Sequence, residues 1–218
     1  MPPRKRGCMY KYTADLHFGY EPIIKTASRP FANIEEMNRS IIRNFNEVLD
    51  KDDILIIDGD VSCYGYNPCK ELKEIRCRKV LIIGNHDKSA LSHKSFRNCF
   101  LDIRENEIIK DSGYKIFLSH YPTAEWDGYY KGIYHFYAHV HNSTQGAGYL
   151  MQIYPNAVNV GVDVNGFRPR TAKELIEDHQ QDYLLNLPAV SQDFLKKAVF
   201  VDTDGRDGNP KTNLKERL

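Results

Sequence analysis

The chain has 218 residues, about one and a half times the ~150-residue prior for a single domain, so one medium domain with at most a small appendage is expected. Hydrophobic residues make up 41% of it, enough for a packed core, which excludes disorder over the whole length. Lys and Arg number 30 against 29 Asp and Glu, a formal charge of +1 without the basic excess of a non-specific duplex binder.

No run of about 18 apolar residues occurs, and no apolar stretch follows the basic segment Pro2-Pro3-Arg4-Lys5-Arg6. Neither a membrane span nor a secretory signal is therefore expected. The basic segment reads as a solvated arm in preference to a nucleic-acid contact. The five cysteines, Cys8, Cys63, Cys69, Cys77 and Cys99, contain no Cys-x-x-Cys pair. They point to reduced thiols in a cytoplasmic protein, not to a zinc–thiolate site.

Residues 9–14 read as a buried strand ending at Asp15-Leu16-His17. Residues 33–50 form an amphipathic helix, with Asn33 and Glu36 paired as N-cap and N3 and Met37, Ile41, Phe45 and Val48 on one face. The apolar run 54–57 ends at Asp58-Gly59-Asp60. Asn67-Pro68 opens a short helix, Pro at N1, with Leu72 and Ile75 inward. The run 80–83 ends at Gly84-Asn85-His86-Asp87, and 89–100 carries a weaker helical pattern. Ile108-Ile109, a turn at Asp111-Ser112-Gly113 and a strand at 116–118 lead to Ser119-His120. The run 133–137 ends at Ala138-His139-Val140-His141. A strand over 157–162, a helix over 171–179 and another near Ser191 follow. Residues 1–202 are expected as one domain and the polar residues 203–218 as a flexible tail.

Strands alternating with helices, then a strand-rich second half, predict α/β layers around a mixed sheet. In such sheets the site lies beyond the carboxyl ends of the strands. Nine polar residues fall there: Asp15, His17, Asp60, Asn85, His86, Asp87, His120, His139 and His141. Any one of them could be a cap or a loop residue, but nine arriving from five strand ends describe a site. Carboxylate, amide and imidazole donors without thiolate suit Mn, Fe, Zn, Co or Ni. The number of donors exceeds one tetrahedral ion and fits two divalent ions sharing a carboxylate.

These residues resemble the calcineurin-like metallophosphoesterase superfamily. Its five motifs stand in order: Asp15-Leu16-His17, Gly59-Asp60, Gly84-Asn85-His86-Asp87, His120 and His139-Val140-His141. The resemblance covers roughly residues 9–170. It points to a branch of small, single-domain, prokaryotic or phage-type enzymes through Arg29-Pro30-Phe31, Ser119 to Pro122 and Asn159 to Asp163. It implies a four-layer-like sandwich of mixed β-sheets flanked by helices. It implies that Asp15, His17 and His141 hold one metal, that Asn85, His120 and His139 hold the other, and that Asp60 bridges. It also implies that His86 is a general acid, with Asp87 orienting its ring. The activity implied is hydrolysis of phosphodiesters, or of a broad range of mono- and diesters, by in-line attack of a hydroxide held between two metals, Mn first among them. The substrate is a phosphorylated small molecule or nucleotide. A nuclease or RNA-end-processing phosphatase, and a degenerate scaffold, are the alternatives.

Three positions depart from the family pattern. Cys63 replaces the last Asp of Gly-Asp-x-x-Asp, Ala138 replaces a Gly, and Tyr20 stands where relatives carry a His. Tyr20, Arg29 and Arg168 are candidate substrate contacts, the arginines because a guanidinium matches phosphate oxygens. Trp126, Tyr129, Tyr130 and Lys131 form either a base-stacking loop or a packed lid. Tyr64 and Tyr66 carry less information, His135 reads as a strand residue, and His93 and His179 have no functional case.

Overall fold

The computed structural model describes residues 7–186. The basic arm 2–6, the helix expected near Ser191 and the tail 203–218 lie outside the described residues. Two four-stranded sheets face each other. The first contains β1 (Tyr10–Thr13), β2 (Ile54–Asp58), β3 (Arg78–Ile82) and β4 (Asp102–Arg104), in that order. The second contains β5 (Glu107–Asp111), β6 (Tyr114–Leu118), β7 (Tyr134–Tyr137) and β8 (Ala157–Asn159). The first sheet is parallel throughout. In the second, only β5–β6 is antiparallel. Its two-residue turn puts Ser112 (φ 52°) and Gly113 (φ 89°) in the left-handed region, as tight hairpin turns require.

Alternation along the first sheet builds two cores. Ile54, Ile56, Val80 and Ile82 point between the sheets, where they meet Ile109, Ile116, Leu118, Phe136 and Val158. Leu55, Ile57 and Leu81 point the other way, onto helices α1 (Pro22–Thr26), α2 (Ile34–Val48) and α3 (Cys69–Glu74). Such two-sided burial is why the runs 54–57 and 80–82 are apolar without a break. Helix α2 starts where the sequence places it: Asn33 accepts a bond from the Glu36 N–H (2.9 Å), while Glu36 reaches back to the N–H of Ala32 (2.8 Å). Beyond the second sheet, Tyr137 and Ala157 pack with Trp126, Ile133 and Met151 of a third small core, Met151 from α6 (Gly146–Met151). Helix α7 (Ala172–Asn186) packs on β1 and β8 through Ala172, Leu175 and Ile176.

Three predicted details change. The single helix over 89–100 is two short ones, α4 (Asp87–Ala90) and α5 (Lys94–Arg97). The strand over 157–162 is ordered as β8 only to Asn159, with Gly161 bridging to Ala14. The charged edge strand β4 went unpredicted, because Asp102 and Arg104 lack the apolar run that marks a buried strand.

Candidate metal centre

Every strand that carries a predicted ligand is parallel to its ligand-bearing neighbours, so their carboxyl ends emerge together. The two sheets join there: Ala14 pairs with Gly161, and the Val162 N–H donates to the Ala14 carbonyl (3.1 Å). The loop after β1 runs beside the loop after β2, with Asp15, His17 and Phe18 donating to Gly59, Asp60 and Val61. The result is two groups of ligand atoms, each within 4.8 Å of one another: Asp15, His17, His141 and Asp60, His120, His139. Asn85 completes the second, its Oδ1 3.2 Å from His120 Nε2.

Sharp loops are needed to aim these side chains. Nine non-glycine residues among those described have positive φ, and five of them are Asp15, His17, Asp60, His139 and His141. Such backbone costs free energy and concentrates where function requires it. Ala138 does not share this conformation, so its methyl costs nothing. A Cβ at Gly84 would lie 2.3 Å from Asp60 Oδ1, and one at Gly59 would lie 2.3 Å from His120 Nδ1. Only glycine lets these loops approach the ligands so closely.

Asp60 lies between the groups. Its Oδ1 accepts the His86 backbone N–H (2.9 Å). Its Oδ2 is buried without a hydrogen-bond partner, 3.3 Å from His120 Nε2, 3.8 Å from His17 Nε2 and 4.0 Å from His86 Nε2. Both ring nitrogens of His17 are likewise buried and unpartnered. Burial pushes His17 down to about 3, so the ring is neutral. Burial also pushes Asp15 up to about 6. For Asp60 burial acts upward, but the neighbouring His120 ring, with the His86 N–H and His17, outweighs it and holds the carboxyl down to about 2. For His120 burial acts downward, and Asp60 with Asp15 and Asp58 outweighs it, raising the ring to about 10. Orphaned buried donors of mixed N/O type, aimed at a shared carboxylate, fit two divalent cations.

The surrounding contacts fix the imidazoles. His120 Nδ1 donates to the Asp58 carbonyl (2.7 Å), and His141 Nδ1 to Asp163 Oδ2 (2.8 Å), so in each ring Nε2 is the nitrogen that could hold a metal. Asp163 is a site residue the sequence reading did not single out; its sequence signal was only the Asn159–Asp163 segment. Its oxygens also receive Arg29 Nε (2.7 Å) and Nη2 (2.9 Å), and Nη2 donates to the Asp15 carbonyl (2.6 Å). The Arg29 side chain is fully buried. Its placement at the phosphate is therefore corrected: it clamps the Asp15 loop to Asp163. The half-exposed guanidinium of Arg168 pairs with Glu47 of α2 (2.8 Å).

Asp87 requires a second correction. Its carboxylate does not meet the His86 ring; it accepts the N–H groups of Asp60, Val61 and Gly84 (2.8–3.0 Å) and so ties the two glycine turns together. The His86 ring is held by Cys63, whose Sγ lies 3.1 Å from Nδ1. Burial, then the Asp60 charge, pushes that thiol up to about 11, so it keeps its proton. The other ring nitrogen, Nε2, lies 4.0 Å from Asp60 Oδ2.

Tyr20 sits 6.1 Å from the His17 ring, at the mouth. Trp126 is buried and donates to the Ile133 carbonyl (2.8 Å), so the aromatic loop is a packed unit, although Tyr130 is exposed. His135 is fully buried in β7 and accepts the Thr123 N–H (3.2 Å).

The fold and the ligand set describe a metal-dependent hydrolase of phosphate esters. Residues 11–186 match the calcineurin-like phosphoesterase family, and the chain belongs to it. It is 32% identical over 161 residues to an uncharacterized protein of Methanocaldococcus jannaschii, covering 72% of this chain and 82% of that one. The crystal structure of a protein of unknown function from Aquifex aeolicus superposes with a TM-score of 0.61 at 25% identity, covering 78% of this chain and 99% of that chain. A Pseudomonas putida nuclease overlaps more loosely, with a TM-score of 0.41 at 19% identity over 61% of each chain. No helix among the described residues is long and apolar enough to cross a membrane.

Proposed function

We propose that this protein is a two-metal phosphoesterase acting on phosphate mono- or diesters. The observation that carries the reading is the orphaned Asp60 Oδ2, reached by imidazole nitrogens of both ligand groups. Asp15, His17 and His141 would hold one ion, Asn85, His120 and His139 the other, and Asp60 both. Two divalent cations, Mn first, with Fe, Zn, Ni or Co also suited to these donors, would supply the charge that holds a phosphoryl group and lower the pKa of water at the centre.

The protein's own residues do the rest. His86 belongs to neither ligand group, and its side chain is 29% exposed. With its Nδ1–H donating to the Cys63 sulfur, a protonated His86 would give its Nε2 proton to a departing alkoxide and be left neutral, a step worth about 10²–10⁴-fold. Asp163 keeps the His141 Nε2 available, and Asp87 keeps the Asp60 and Gly84 turns in contact.

The test is hydrolysis of bis(p-nitrophenyl) phosphate and p-nitrophenyl phosphate by metal-stripped protein reloaded with Mn(II). Activity should disappear with chelator and return as two ions bind per chain. His86→Ala should keep both ions and lose turnover, more with alkyl than aryl leaving groups. Full activity in chelator, or loss of an ion in His86→Ala, would overturn the assignment.

A further inference from the structure

Tyr64 is 76% exposed, yet its backbone is in the left-handed region (φ 46°), where a bulky side chain is a genuine outlier. The turn around it is pinned on both sides. Ser62 Oγ donates to the Tyr66 carbonyl (3.0 Å), the Tyr66 N–H donates to the Cys63 carbonyl (3.2 Å), and the Tyr66 hydroxyl donates to Glu71 (2.7 Å). The Tyr66 ring lies so close to Gly19 that a Cβ there would fall 2.5 Å from it. A ring held in solvent by strained backbone buries little surface, so fold stability does not explain it.

Its neighbours are the reacting groups. The Tyr64 ring centroid is 5.5 Å from His86 and 5.4 Å from Tyr20. Tyr20 in turn is 6.1 Å from His17, and His17 is 5.5 Å from His86. Four rings thus form a continuous wall from one ligand group out to solvent, with His86 in it and Tyr64 at its open end. Tyr20 and Tyr64 are inclined by 57°.

We propose that Tyr64 and Tyr20 form a stacking shelf for a planar ring carried by the leaving alcohol, so that the substrates of this site are nucleotide esters. The proposal rests on the phosphoesterase reading above for its orientation. Ring stacking accepts any base, since every base has a π face, and predicts affinity for the nucleoside without strong base preference.

The experiment is calorimetric titration of the Mn(II)-loaded full chain with the non-hydrolysable 5′-phosphonates of adenosine and of ribose. Kinetics on adenosine 5′-monophosphate and ribose 5-phosphate run alongside. The adenosine ligand should bind about fivefold to 150-fold more tightly than the ribose ligand. Tyr64→Ala should remove that difference, with ribose phosphonate binding unchanged, and Tyr64→Phe should retain it. In the kinetics the loss should fall on KM for the nucleotide. Equal binding of the two phosphonates by the wild type, binding of neither, or an equal loss for both in Tyr64→Ala would overturn the shelf. A protein that binds adenosine phosphonate preferentially but hydrolyses no phosphate ester would support the shelf and overturn the phosphoesterase reading.

Discussion

Arg29→Met removes a guanidinium that is fully buried and bonded to Asp163 through Nε and Nη2 and to the carbonyls of Asp15 and Leu16. Methionine fills much of the volume but leaves the buried Asp163 carboxylate with only its His141 contact and both carbonyls without the guanidinium. Breaking a buried ion pair from one side costs about 3–5 kcal/mol. In a chain of this size each kcal/mol moves Tm by about 2–4 °C, so the metal-free protein should melt about 6–20 °C lower. Arg29→Lys keeps the charge but not the two-pronged geometry and should fall between. Thermal melts followed by circular dichroism measure this, with KM for a phosphate ester measured on the same preparations at 25 °C. A variant melting within about 2 °C of wild type, with KM raised about tenfold, would show that Arg29 serves the substrate and that the clamp is wrong.

Asp15→Asn keeps a neutral oxygen donor and should weaken mainly one ion, with activity partly rescued by excess Mn(II). Asp60→Asn removes the charge between two dications whose repulsion is about 18 kcal/mol at ~3.7 Å and an effective dielectric of about 20. It should lose cooperative loading and resist rescue, and equal metal titrations for the two variants would contradict the bridging role. Cys63→Ala should lower kcat for alkyl esters about threefold to tenfold with KM unchanged, because His86 Nδ1 loses its hydrogen-bond partner, and Cys63→Ser should restore it. A kcat unchanged in Cys63→Ala would mean that the thiol does not position the ring. Since His120 is held up to about 10 in the metal-free site, an incoming ion must displace a proton from it. Mn(II) binding at neutral pH should therefore release protons, and apparent affinity should rise with pH toward 10. Calorimetry in buffers of different ionisation enthalpy checks this.

The sequence by itself determined most of the elements and which candidate ligand residues follow them. Short runs dominated by apolar and aromatic residues marked β1, β2 and β3, because strands buried on both faces favour such side chains at most positions. Asn33 with Glu36 marked the start of α2, because capping is local chemistry. The ligands were legible because each follows such a run within a few residues, which places it at a carboxyl end whatever the sheet order. What only the tertiary structure decided are the partnerships between side chains far apart in the chain. Arg29 meets Asp163 across 134 positions, and Cys63 meets His86 across 23. A guanidinium reads the same in sequence whether it waits for phosphate or is buried against a carboxylate, and Asp87 adjoins His86 in sequence while its carboxylate turns to three backbone amides. Local pattern fixes which residues reach the end of a strand. The packing of one loop on another fixes which way each side chain then turns, because that depends on neighbours that sequence spacing does not encode.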